Sequence, residues 1–191
     1  MFPSPYPFIL AALAATIVSA APASGFVPVN DPDITNPAVI FSNVQQDDST
    51  VSQTATALMN SNSDMDNADI ASDADSGLSS LQDEQAMISL IFNNLDDAGE
   101  RGEDQAITNI LAANKKALGF YRTVVNNPNL EVATDCGLAI ACARNTIVDE
   151  LTEVVNKFNE VNNGDAGSAD FQQTDISSDL SCDTQLEFCF Q

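Results

Sequence analysis

Apolar positions fall on helical spacings in four stretches of the chain. From Ala38, the residues Ile40, Val44, Val51, Ala55 and Leu58 share one helix face, with Asp47 interrupting it. Asn60-Ser61-Asn62-Ser63-Asp64 reads as its stop. A second stripe runs through Ile70, Ala74, Leu78, Leu81, Ile88, Phe92 and Leu95, either unbroken or broken at Ser76-Gly77 and restarted near Ser79. After a turn at Gly99-Glu100-Arg101-Gly102, a third comprises Ile107, Ile110, Leu111, Ala117, Leu118, Tyr121, Val124 and Val125, and ends before Asn126-Asn127-Pro128-Asn129. The fourth is the most regular: Cys136, Ile140, Ala143, Ile147, Leu151, Val154, Phe158 and Val161 step by three or four residues throughout. Thr134 or Asp135 is the expected cap of this helix, and Asn162-Asn163-Gly164 its end.

Four amphipathic helices with short connections over residues 38–162 predict an all-α, four-helix bundle-like single domain. At this size roughly two-thirds of the unfolded chain's surface is buried on folding. Residues 163–191 are acidic, irregular in pattern, and read as a tail, with Phe171, Ile176, Leu180, Leu186, Phe188 and Phe190 as docking points. Ahead of the helices, residues 21–37 hold Pro22, Pro28, Pro32 and Pro37 and predict an extended leader. Residues 1–20 read as a signal peptide, because the apolar run from Phe8 to Ala20 is short for a membrane span and Val18-Ser19-Ala20 supplies small residues for cleavage. Cleavage is expected after Ala20, with Ala21 or Ala23 as alternatives. No transmembrane anchor is expected in the mature chain, and a secreted, extracellular product follows.

The cysteines fit that compartment. Cys136, Cys142, Cys182 and Cys189 are an even set in the last third of the chain, and two disulfides are expected. If the fourth helix is continuous from residue 135, Cys136 and Cys142 are separated by roughly 9 Å of rise and cannot pair. Each then bridges to the tail, most simply Cys136 to Cys189 and Cys142 to Cys182. If Gly137 instead marks a loop, Cys136 pairs with Cys142 and Cys182 with Cys189. The spacings are too loose for a usual four-thiolate zinc site.

Charge narrows the function. Six Lys and Arg stand against 28 Asp and Glu, a formal net charge of −22, and histidine and tryptophan are absent. Such a chain is repelled by phosphate backbones, so no nucleic acid partner is expected. Lack of histidine removes Ser-His-Asp and Cys-His catalysis and the usual general base near neutral pH. The charge is uneven: 14 acids and only Arg101 lie between Gln46 and Asp104, against 6 acids and 5 bases from Gln105 to Asn162. Self-repulsion of this kind eases in acid, so an acidic extracellular setting suits the chain.

The acidic run Asp64 to Gly77 invites a calcium loop with Asp73, Asp75 and Glu84 at ligand positions, but Leu78 stands where such a loop needs glycine. It reads as a solvated helix face. Asp83 with Glu84, or Asp149 with Glu150, could serve acid/base hydrolysis, yet nothing singles out a pair. No enzymatic activity, cofactor or metal is expected.

The stretch Val39-Ile40-Phe41-Ser42-Asn43-Val44-Gln45-Gln46-Asp47-Asp48-Ser49-Thr50-Val51, behind a signal ending in small residues, resembles the fungal hydrophobic-surface-binding proteins and related cell-wall galactomannoproteins. The likeness is one of texture and covers about residues 38–125, and the four C-terminal cysteines depart from it. It implies a helical domain that binds lipids or adsorbs to hydrophobic surfaces at the cell wall. The alternative is a small secreted protein-interaction module or effector with an extracellular protein partner.

Overall fold

A computed structural model describes residues 37–96, 104–161, 170–177, 182 and 189. The expected signal peptide, the leader up to residue 36, the turn at Gly99–Gly102, the stop at Asn162–Gly164 and the docking points Leu180, Leu186, Phe188 and Phe190 lie outside these residues. So do the side chains of Phe92, Leu95, Phe158 and Val161. Five helices are described: α1 (Pro37–Met59), α2 (Asn67–Asp96), α3 (Asp104–Asn126), α4 (Leu130–Asn145) and α5 (Val148–Val161). Around the bundle α1 packs on α2 and α4, and α3 packs on the same two helices, with α5 continuing α4 alongside α3.

The direction of each helix follows from where its apolar residues go. One buried layer takes Ile40, Phe41 and Val44 from the start of α1, Met87 and Ile88 from the later part of α2, and Ile107 and Ile110 from the start of α3. Ile147 and the α5 residues Val148, Leu151, Val154 and Val155 complete it. The other layer takes Val51, Ala55 and Leu58 from late α1, Ile70 to Leu81 from early α2, Ala117 to Val124 from late α3, and Ala133 to Ala141 from α4. Helices α1 to α4 therefore alternate in direction, as short connections require, and α5 continues in the direction of α4.

Local chemistry sets the boundaries. Asp66 caps α2, its Oδ1 accepting from the backbone N–H groups of Ala68 at 2.8 Å and Asp69 at 2.9 Å. Gly77 does not break α2. A Cβ there would lie 2.4 Å from the Tyr121 ring and 2.5 Å from Thr54 Oγ1, so glycine is what lets α2 approach these side chains.

The fourth predicted helix needs two corrections. It starts at Leu130 and not at Thr134 or Asp135, because Asn129 adopts an extended conformation and its Oδ1 accepts from Val132 N at 3.0 Å. The Asn-Pro-Asn segment that ends α3 thus also starts α4. The helix is also not continuous to residue 161. At Thr146 and Ile147 the ladder shortens, with Ile147 N donating to Arg144 O at 3.0 Å, and Leu151 N then donates to Ile147 O at 2.8 Å to begin α5. The stripe survives the break, since Ile147, Leu151 and Val154 still enter one layer.

Gly137 lies inside α4 and forms no loop. A Cβ on it would come 2.5 Å from Met59 N and 2.9 Å from Leu58 C, so the α4 backbone rests directly on the end of α1. With α4 helical through residues 136–142, both cysteines bridge to the tail: Cys136 to Cys189 and Cys142 to Cys182, with Cα separations of 5.1 Å and 5.6 Å.

Candidate functional site: a buried ionic layer

Between the two apolar layers, each of α1 to α4 places polar side chains at the same height. α1 contributes Asp47 and Asp48, α2 Glu84, α3 Asn114 and α4 Arg144, all buried. Each sits where the next apolar residue of its stripe was due. On α1 the aspartates fall between Val44 and Val51, on α2 Glu84 falls between Leu81 and Ile88, and on α4 Arg144 falls between Ile140 and Ile147.

Arg144 is the hub. Its Nη1 donates to Glu84 Oε1 at 2.9 Å and to Asn114 Oδ1, and its Nη2 donates to Asp48 Oδ1. Asn114 Nδ2 donates to Glu84 Oε1 at 3.1 Å, closing a ring of α2, α3 and α4 side chains. The ion-paired side chains of Arg144, Asp48 and Glu84 are at most 2 % exposed. Burial alone would lower the Arg144 pKa, but Glu84 and Asp48 beside it outweigh that and hold it above its usual range.

The ring is incomplete. Glu84 Oε2, Arg144 Nε and Asp47 Oδ2 are buried without a hydrogen-bond partner in the protein, and Asn43 Nδ2, one turn before Asp47, is likewise unpaired. Burial, with Glu84 and then Asp83 adding negative potential, pushes Asp47 from its ordinary value of 3.8 to about 8. Glu84 is also raised, by burial first, against the lowering effect of Arg144. Such a group carries its proton at pH values where an ordinary carboxylate has lost it.

The tail crosses this layer as a strap between α1 and α4. Phe171 packs into one apolar layer and Ile176 against the other. Between them Gln172 N donates to Asp48 Oδ2 at 3.1 Å, and Thr174 Oγ1 donates to Ser52 Oγ at 3.0 Å. The Asn145 side chain pairs with the Thr174 backbone in both directions, at 2.7 Å and 2.8 Å. Farther along the sequence Cys182 bridges to Cys142 and Cys189 to Cys136, so the described tail residues meet α4 in antiparallel order.

The carboxylates singled out from sequence do not assemble into one site. Asp75 is exposed and Asp73 partly buried on α2, whereas Glu84, two and a half turns on, is inside the bundle. Asp83 is partly buried beside Glu84, and Glu150 on α5 accepts from Asn109 Nδ2 at 2.9 Å. Among the described residues no group of three or more His, Cys, Asp or Glu is placed to hold a metal ion. No described helix is long and apolar enough to cross a membrane.

Reading the stripes one at a time misses Asp48, Asn114 and Arg144. The signal was present as a coincidence: a polar residue fills one core position on each of the four helices, at heights that align once the helices alternate in direction. No protein-family model, curated protein or solved structure matches this chain.

Proposed function

We propose that this is a secreted, non-enzymatic binding protein that takes up lipids or adsorbs to hydrophobic surfaces, in a cell-wall setting. The observation that carries this reading is the division of the core. Its apolar surface is stored as two layers on either side of a polar layer whose buried atoms are only partly paired. A junction of that kind is costly to keep buried, so less is lost when the helices part there than when a continuous apolar core is opened. The exterior offers little alternative, since Leu130, at 40 %, is the sole exposed large apolar side chain among the described residues. A hydrophobic ligand would therefore meet its partner surface inside the bundle, reached by opening. The two disulfides suit an oxidising extracellular compartment, and the resemblance of residues 38–125 to hydrophobic-surface-binding proteins points the same way.

Titration with a long-chain fatty acid, followed by native mass spectrometry and by adsorption to alkyl-coated beads, tests the proposal. Saturable uptake of acyl chain, or adsorption retained in high salt, is expected. Absence of both sinks the reading and leaves the protein-interaction module, which the otherwise polar exterior favours.

A further inference from the structure

The polar layer has more acid than it can neutralise. α1 supplies Asp47 and Asp48, α2 supplies Glu84 with the partly buried Asp83 next to it, and α4 supplies the one base, Arg144. α3 faces the layer with the uncharged Asn114, and the strap with the backbone N–H of Gln172. Tyr121 of α3 lies beyond it, its hydroxyl shared with Thr54 at 2.7 Å. Arg144 is spent on Asp48 and Glu84, two carboxylates for one guanidinium. Asp47 receives no hydrogen bond at Oδ2, and Glu84 none at Oε2, although both atoms are buried between apolar layers. A carboxylate so placed is stable as the neutral acid and unstable as the anion.

We propose that this layer is a proton-operated latch: protonation of its surplus carboxylate, Asp47, keeps the bundle closed, and ionisation loosens it so that the apolar layers become available to a hydrophobic surface. The clause on the surface rests on the binding function proposed above; the latch itself does not. The upward displacement of Asp47 to about 8 agrees in direction. A raised acid pKa in the folded state means that stability is full below the unfolded value, near pH 4, and declines as pH rises toward 8, because the unfolded chain ionises first. The closed state belongs to acid conditions and the loosened state to neutral and alkaline ones.

The experiment compares the full secreted protein with Asp47→Asn and Glu84→Gln, using Asp149→Asn, an exposed carboxylate of α5, as the control for net charge. Denaturant midpoints are followed by tyrosine fluorescence, which the absence of tryptophan makes readable. Adsorption to neutral phosphatidylcholine vesicles is measured on the same samples at pH 4.5 and 8.5. The wild-type midpoint is expected to fall between the two pH values, Asp47→Asn to remove most of that fall, and Asp149→Asn to leave it. Adsorption should rise several-fold at pH 8.5 in the wild type and lose its pH dependence in Asp47→Asn. A wild-type midpoint independent of pH overturns the latch, as does an equal fall in the wild type and Asp47→Asn, whatever Glu84→Gln does. Should the midpoints behave as expected while no sample adsorbs at either pH, the latch stands and the hydrophobic-surface function fails.

Discussion

The ionic layer and the apolar layer beside it, around Tyr121 and Gly137, are neighbours in one core but are held by different means. In the ionic layer, Arg144 binds Asp48, Glu84 and Asn114 while three buried polar atoms of Arg144, Glu84 and Asp47 stay unpaired. In the adjoining layer the buried Tyr121 hydroxyl has Thr54 and the carbonyl of Val51 at 2.7 Å and 3.1 Å. Its helices approach until only glycine fits at residues 77 and 137. One region is specified by charge and the other by shape. Charge-specified contacts respond to pH, and shape-specified contacts respond to volume. One domain thus combines a closely packed, fully paired half with a junction whose buried polar atoms are only partly paired.

Arg144→Ala strikes the charged region hardest. It leaves Asp48 and Glu84 buried without a counter-charge, a loss that costs about 3–5 kcal/mol when one partner of a buried pair is removed. The cost depends on how far Glu84, whose pKa burial raises, is ionised. Chemical denaturation should therefore show a larger loss at pH 8 than at pH 4.5, where protonation of Glu84 relieves it. An equal loss at both values would show that Arg144 acts by packing and that charge does not specify this layer.

Gly137→Ala tests the other region. Alanine ordinarily favours a helix over glycine by about 1 kcal/mol, so a gain is the naive expectation. Here the new Cβ meets the backbone of α1 at Met59 N, 2.5 Å away, and backbone cannot rotate aside. A net loss of about 1–3 kcal/mol is expected, the same at pH 4.5 and 8, and thermal unfolding measures it.

The same contrast governs what could be read from sequence. The all-α bundle was legible because Ile, Leu, Val and Ala recur at three- and four-residue steps and that recurrence is local. The disulfide pairing was legible only down to two alternatives, and the choice came from the structure, which places Gly137 inside α4, where residues 136 and 142 cannot meet. The break between α4 and α5 was not legible, because Ile147 keeps its place in the stripe whether or not the ladder shortens at Thr146. Asp47 registered only as an interruption of a stripe, and Glu84 as a calcium-loop position or one of two adjacent carboxylates. Their meaning depends on Arg144, 96 residues beyond Asp48 and 60 beyond Glu84, and on the antiparallel order that brings these heights together. Local period gives faces, while the pairing of buried charges is a long-range property.

Tyr121→Phe sharpens the comparison at the smallest scale. The phenol keeps its proton well above the usual range, chiefly through burial, so it does not titrate where the latch does. Removing the hydroxyl loses the contact with Thr54 and the bond donated to Val51 O, but strands neither group. Thr54 Oγ1 still donates to Thr50 O at 3.0 Å and to Val51 O at 3.1 Å. The cost should be about 1 kcal/mol, that of a hydrogen bond lost without leaving an unsatisfied partner. Because the variant lacks the buried tyrosine that reports on the core, circular dichroism is the measurement. A small loss, equal at pH 4.5 and 8, places Tyr121 in the shape-specified region. A pH-dependent loss would mean that the two layers are coupled through Tyr121, extending the latch about two helical turns further along α3.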